Sequence, residues 1–123
     1  MKLRIRGNSV RLRLLRGEVA EFAAKGLLRE TVNFGASNLT YILRIADGAN
    51  ELSAEFAAGQ IVVSVPTAAA REWTATETVS LAGEQKNANG ELLKILIEKD
   101  FVCLDRIGDE DNRDAYPNTS HKC

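Results

Sequence analysis

The sequence predicts an α+β domain: a mainly antiparallel sheet, curled or closed into a small barrel, with two short helices laid against it. Three observations carry that reading. Alternation of apolar and polar residues, the period-two mark of a half-buried strand, recurs in several short runs separated by turn residues. Only two stretches have helical spacing, and both are short. The most apolar run, Leu92-Leu-Lys-Ile-Leu-Ile-Glu98, follows Asn89-Gly90, the strongest hairpin signal in the chain.

In order, the first fourteen residues hold two alternating runs, Lys2-Leu-Arg-Ile-Arg6 and Val10-Arg-Leu-Arg-Leu14, around Gly7-Asn8. With Gly7 and Asn8 as a two-residue loop, Leu3 faces Leu12 and Ile5 faces Val10, while Lys2 faces Arg13 and Arg4 faces Arg11. One face of this hairpin is apolar and the other cationic. A short helix follows, with Val19, Phe22 and Ala23 on its inner face, Glu18 and Glu21 early where the helix dipole favours anions, and Gly26 as the stop. Leu28 to Phe34 and Leu39 to Ile45 read as strands, the second with Leu39, Tyr41, Leu43 and Ile45 inward. Leu52 to Phe56, with Leu52, Ala54 and Phe56 inward, forms a second hairpin with Ile61 to Val65. Pro66 closes that strand, Thr67 is the expected N-cap of a second helix carrying Trp73, and Val79 to Leu81 is a further strand. The run from Leu92 reads as a central strand covered on both faces.

The chain has 123 residues, 45% of them hydrophobic, and a net charge of −1, enough for one modest core and no global field toward nucleic acid or anionic membrane. The reading is one domain over residues 1–104 and an acidic tail over 105–123, expected to be partly ordered or disordered. Charge is unevenly placed. Lys2, Arg4, Arg6, Arg11, Arg13 and Arg16 crowd the start, whereas Asp105, Asp109, Glu110, Asp111 and Asp114 crowd the end. Cations interrupt the N-terminus too often for a signal peptide, and about eighteen consecutive apolar residues occur nowhere, so the expectation is a cytoplasmic protein without membrane contact. Cys103 and Cys123 are expected to be reduced.

An internal echo appears at an offset of 51: Val10, Leu12, Leu14, Val19, Phe22 and Leu28 match Ile61, Val63, Val65, Ala70, Trp73 and Val79. If it reflects duplication, it implies a pseudo-two-fold sandwich or small barrel of two interlocking units. The first unit, Gly7-Asn8-Ser9-Val10-Arg11-Leu12-Arg13 followed by a helix and a strand, resembles the swapped-hairpin fold of the AbrB and MazE transcription factors and antitoxins. That resemblance would give Arg11 and Arg13 a role at DNA. It departs at Leu15, where those domains usually carry proline, and in length. Across nearly the whole chain, Lys2 to Arg13, Val65-Pro66, Ala70-Arg-Glu-Trp73, Glu98-Lys-Asp-Phe101, Cys103-Leu104, and Glu110-Asp111 with Asp114-Ala-Tyr-Pro-Asn118 resemble an uncharacterised family of short bacterial proteins, a domain of unknown function. That resemblance implies a bacterial source and brings no activity.

The residues that bear on chemistry are few. Lys2, Arg4, Arg6, Arg11 and Arg13 are the candidate surface for an anion or partner, and Glu98, Asp100, Asp105 and Asp109 are candidate counter-charges from within the chain. Opposed like charges cost a few tenths to about 1 kcal/mol per pair, so the cationic face calls for one answer or the other. Cys103, His121 and Cys123 are the only thiol and imidazole ligands, a thin basis for zinc, and the reading is no metal and no cofactor. With the one histidine near the end and no nucleophile beside a base, no catalytic residue is assigned. The sequence therefore reads as a non-enzymatic binding or accessory module for a protein or small ligand. The alternatives are a nucleic-acid-binding regulator using the arginine hairpin and a small enzyme of unknown class; oligomeric state is left open.

Overall fold

The computed structural model describes residues 1–101, and short turns set most of its strand boundaries. In chain order the elements are β1 (Lys2–Ile5), β2 (Ser9–Leu14), α1 (Arg16–Lys25), β3 (Leu27–Asn33), β4 (Asn38–Ala46), β5 (Ser53–Ala57), β6 (Gln60–Pro66), α2 (Thr67–Ala75), β7 (Ser80–Lys86) and β8 (Leu92–Lys99). Gly7, at φ 55°, opens a two-residue turn, and the register beyond it is Lys2↔Arg13, Leu3↔Leu12, Arg4↔Arg11 and Ile5↔Val10, as expected from the loop length. The β5–β6 turn places both Ala58 (φ 52°) and Gly59 (φ 73°) in the left-handed region. Position 59 has no room for a side chain, because a Cβ there would meet the Asn38 carbonyl oxygen at 3.0 Å.

The fold is α+β, in two separate sheets that do not close into a barrel. Among the described residues their strand orders are β1-β2-β8-β7 and β3-β4-β6-β5. Each is mixed: β2 runs parallel to β8 and β4 parallel to β6, so the expected antiparallel pattern holds within each hairpin and breaks where hairpins meet. The chain is built as two ββαββ halves, β1–β4 and β5–β8, and each half gives one hairpin to each sheet. The helix in the middle of each half carries the chain from one sheet to the other.

The halves superpose in pattern as well as in order. Lys94 N donates to Asn8 O (3.1 Å) where Thr40 N donates to Gly59 O (2.9 Å), and Lys99 N donates to Val79 O (3.0 Å) where Ile45 N donates to Gly26 O (2.9 Å). The echo at offset 51 thus follows equivalent positions from β2 through the helix, with one correction. Leu28 pairs with Leu43 and Leu81 with Ile97, so Leu28 corresponds to Leu81 and not to Val79. Between α2 and β7 the second half runs from Thr76 to Val79, whereas the first half spends only Gly26 between α1 and β3.

Between the sheets lies the core. Leu12, Leu14, Ile95 and Ile97 come from one sheet, Leu43, Val63 and Val65 from the other, and Phe22 and Trp73 from the helices; each is at most 2% exposed. Full burial of such a side chain is worth about 1.5–3 kcal/mol relative to exposure, so the helix aromatics are large contributors. They meet edge to face, with centroids 6.4 Å apart and planes at 67°. The Trp73 indole N–H is satisfied by Val79 O at 2.9 Å, and Lys99 Nζ stands 5.6 Å from its ring centroid. Four expectations change here. Ala23 is exposed, because one residue beyond Phe22 the helix has turned off the face that packs on the core. Phe56 is 68% exposed, because β5 is an edge strand whose far end projects past the core. The N-cap of α2 is Pro66, since Thr67 already has helical geometry and spends its hydroxyl on Asp47 Oδ1 (3.2 Å). Strand β8 is central in its sheet, yet its fully buried residues, Ile95 and Ile97, lie on one face; among the described residues no helix covers the face with Leu92, Lys94 and Leu96.

The two seams between sheets are pinned differently. At one, the Gln85 side-chain amide from β7 reaches β5, accepting from Ala54 N (2.8 Å) and donating to Ala54 O (3.0 Å), as a neighbouring strand would. At the other, the buried Met1 amine is paired with Glu18 of α1 and with Glu30 of β3 (3.2 Å), and Tyr41 donates its hydroxyl to Met1 O (3.0 Å). Burial opposes the charge on the amine, but its hydrogen bonds to Glu18 and Glu30 outweigh burial and hold its pKa above the ordinary 8.0. Burial likewise opposes ionisation of Glu18, and the amine and the Leu15 N–H overcome it, holding the carboxyl below 4.5. Burial, then Glu30, pushes Tyr41 up to about 12.

Two outcomes follow for stability. Left-handed geometry costs a non-glycine residue about 1–2 kcal/mol, partly offset by the extra chain entropy of glycine, so Ala58→Gly is expected to raise unfolding free energy by about 0.5–1 kcal/mol in urea titrations. A loss of stability would show that the Ala58 methyl group makes contacts worth more than the strain. The amine contributes stability that is intact below pH 8.0 and is lost as pH rises through its raised pKa, and Glu18 contributes stability that is intact above pH 4.5 and is lost as pH falls through its lowered one. Thermal unfolding should therefore plateau between those values and fall on both sides. Glu18→Gln should flatten both arms; an alkaline arm unchanged by that substitution would place the effect elsewhere.

Candidate functional site

The outer face of the first sheet gathers most of the residues that the sequence marks for chemistry. Because β1 pairs with β2 antiparallel and β2 with β8 parallel, side chains line up in rows across the four strands. One row is Lys2, Arg13, Glu98 and Ser80; the next is Arg4, Arg11, Leu96 and Ala82; a third brings Ser9, Lys94 and Glu84 together beside Arg6 and the Gly7-Asn8 turn. The turn is tied down by Asn8 Nδ2 donating to Leu92 O (2.7 Å) and by Ser9 Oγ donating to Arg6 O (2.6 Å).

Carboxylates from β8 and from the residue after it enter this face at one end. Arg13 Nε donates to Glu98 Oε1 at 2.5 Å, Arg11 Nε stands 3.7 Å from the same oxygen, and Lys2 Nζ donates to Asp100 Oδ2 at 2.9 Å. The Arg13–Glu98 pair is largely shielded, with side chains 13% and 18% exposed, and the Asp100 side chain is 7% exposed. Charge-assisted hydrogen bonds in such partly buried places are stronger than exposed pairs. None of Arg4, Arg6 and Arg11 is without a partner. The structure thus brings Lys2, Arg4, Arg11, Arg13, Glu98 and Asp100 onto one surface. Asp105, Asp109, Cys103, His121 and Cys123, and the whole 105–123 tail, lie outside the described residues.

Away from Glu98 the face opens into a groove of about 810 Å³. Arg4, Arg6, Arg11 and Lys94 stand around it, and Ala82, Gly83, Leu92 and Leu96 supply its apolar part. Lys94, Glu84 and Leu96 were not singled out by the sequence reading. For Lys94 and Leu96 the signal is in the parity of the Leu92 run, where they share a face with Glu98, but only the parallel pairing with β2 puts that face beside the arginines, and Glu84 joins them through the β7–β8 register. A second surface is apolar: Ile5 (60% exposed) and Phe56 (68% exposed) occupy equivalent positions in the two halves and flank a cleft of about 630 Å³ with Val10, Leu39, Ile61 and Leu93.

Among the described residues, no three His, Cys, Asp or Glu side chains stand close enough to hold a metal ion, and no helix is long and apolar enough to cross a membrane. The chemistry available on the cationic face is ion pairing and hydrogen bonding by guanidinium groups next to apolar surface. A family model described as a family of unknown function (DUF7009) matches residues 1–120. No curated protein and no solved structure matches the chain.

Proposed function

The chain belongs to the family of unknown function DUF7009, and we propose that this member is a non-enzymatic binding module that takes an acidic peptide segment of a partner protein on the outer face of its first sheet. The groove of about 810 Å³ carries this reading, because it sets guanidinium and ammonium groups around an apolar strip of Leu92, Leu96 and Ala82. Residues two apart on a strand are spaced by roughly 6.6–6.8 Å, which is also the repeat of an extended peptide. A segment alternating carboxylates with apolar side chains would match the strip and the arginines at once, with guanidinium forks taking the carboxylates.

The distribution of charge favours a peptide over nucleic acid. Glu98 sits between Arg11 and Arg13, Asp100 holds Lys2, and Glu84 is registered beside Lys94. Carboxylates at those positions repel any anion, and they weigh more against a duplex, with one charge per roughly 1.7 Å of axis, than against a peptide whose carboxylates alternate with apolar side chains at a repeat of roughly 6.6–6.8 Å. Among the described residues that line the groove there is no aromatic side chain to stack a base, as single-strand binders use.

The test is anisotropy of a fluorescein-labelled peptide of alternating Glu and Leu, against a labelled duplex DNA control, with the wild-type chain and with Arg4→Gln/Arg11→Gln. Losing two charge-assisted contacts should weaken peptide binding by at least roughly tenfold. Stability should move by less than about 1 kcal/mol, since the two arginines oppose each other across β1 and β2. Peptide affinity unchanged by the double substitution would sink the proposal. So would tighter binding to duplex with a steep salt dependence, which would make the chain a nucleic-acid regulator.

A further inference from the structure

We propose that the apolar cleft at the turn end of the molecule is a self-association surface: a second copy of this chain docks there end to end about a two-fold axis, with Ile5 of each copy against Phe56 of the other. This surface adjoins the peptide groove at Val10 but is distinct from it, and self-association there does not depend on what the groove takes.

The cleft follows from the topology. The parallel pairing of Ser9 with Lys94 sets the β1–β2 and β7–β8 turns at one end of the first sheet, and that of Thr40 with Gln60 does the same for the turns of the second. The helices leave from the other ends of β2 and β6, where Phe22 and Trp73 fill the space between the sheets. At the turn end, among the described residues, no helix closes that space, and the inner faces open into the cleft of about 630 Å³. The Gln85 amide in its wall is already engaged by Ala54 N and O and by Asn87 Oδ1 (3.0 Å), so the cleft offers mainly apolar surface. Ile5 and Phe56 stand exposed on its rim, and Phe34, 68% exposed, sits at the neighbouring β3–β4 turn. Exposed apolar patches rimmed by polar residues mark interaction sites.

Charge selects a second copy as the occupant. Because the halves exchange sheets while keeping all four turns at one end, the internal two-fold runs along the strands, passes through the cleft and exchanges Ile5 with Phe56. Their neighbours differ in sign. Ile5 lies between Arg4 and Arg6, whereas Phe56 lies between Glu55 and Ala57, so one side of the rim is cationic and the opposite side acidic. Glu55 is exposed, lines the cleft, and has no ion pair or hydrogen bond among the described residues. Arg6 already has a partner, and the five donors of a guanidinium leave room for a second carboxylate.

A second copy turned end over end can oppose Ile5 to Ile5, which sets cation against cation, or Ile5 to Phe56, which sets arginine against carboxylate on both sides. The register agrees with the second arrangement. Arg6 is one residue nearer its turn than Ile5, and Glu55 is one residue further from its turn than Phe56, so the two pairs are separated alike along the strand direction. Side chains alternate along a strand, which puts the apolar pair inside the rim and the ion pair outside it, the layout of an interface with an apolar centre and a polar border. A two-fold interface makes each of these contacts twice.

Sedimentation velocity of the full chain should show a monomer–dimer equilibrium in the micromolar range. Phe56→Ser should weaken it by at least roughly tenfold, since aromatic anchors carry most of the energy of an interface. The side chain is exposed, and the near-ultraviolet circular dichroism of Trp73 checks that the fold stands. Arg6→Glu and Glu55→Arg should each weaken the dimer alone, and an equimolar mixture of the two should dimerise as wild type does, because both crossed ion pairs are then restored. That mixture keeps the test decisive should Phe56→Ser disturb the fold. A wild-type chain that stays monomeric throughout the micromolar range would overturn the proposal, as would a dimer indifferent to Phe56→Ser or a mixture no stronger than its components. Saturable binding of anilinonaphthalene sulfonate to a monomeric wild-type chain, lost in Phe56→Ser, would overturn it in favour of a small-molecule site.

Discussion

Arg13 and Glu98 meet across 85 residues of chain because β2 and β8 run side by side in parallel. Parallel neighbours cannot be joined by a tight turn, so this pairing, like that of β4 with β6, has to be made between the two halves of the molecule. Each half is otherwise only two hairpins and a helix, and an isolated hairpin is marginal in water. Joining the halves widens both sheets to four strands, encloses Phe22 and Trp73 between them, and brings the β8 carboxylate to the arginines of the first hairpin. The cationic face, the core and the exchange of hairpins are therefore one arrangement seen from three sides.

What the sequence made legible was mostly local. A two-residue turn leaves one register, so all four β1–β2 pairs followed from Gly7-Asn8, and the left-handed Gly26 marked the end of α1. The α+β class and the match between the halves were also readable, since Phe22 and Trp73 sit at corresponding points of each helix and both are fully buried. Pairing between halves was not readable, because alternation says which residues share a face and nothing about which strand lies alongside. For that reason alternation alone is compatible with a closed barrel, does not tell whether β8 is covered on one face or two, and does not mark Lys94 and Leu96 as neighbours of the arginines. The Met1 clamp escaped for a different reason: one partner is the backbone amine, which no side-chain pattern announces. Glu98 and Asp100 could be named as counter-charges because they were acidic residues near the end of a strand expected to be central, and the parallel register then supplies the contacts.

Lys2 and Arg4 on β1 have a second physical meaning. Among the described residues β1 is an edge strand, and unpaired edge backbone is a template for association with other chains. Lys2 and Arg4 leave charge along that edge, the Met1 amine and its carboxylates close the seam beside it, and at the opposite seam the Gln85 amide occupies the β5 backbone that another strand would seek. A face that opposes cation to cation gives up a little stability, and it gains an edge that discourages pairing.

Exchange of hairpins also sets an order of events on the ribosome. The first hairpin precedes every other element of the described fold, yet its permanent neighbour β8 is the last strand of that fold to be synthesised. Until then Leu12 and Leu14 have no sheet to complete, and the second sheet likewise waits for β6 before Leu43 can be enclosed. Contacts so distant in sequence form slowly, and a nascent chain of this design spends most of its synthesis with one sticky side exposed. The alternate cations on β1 and β2 then serve the unfinished protein, keeping a waiting hairpin dispersed until the chain that will cover it has emerged.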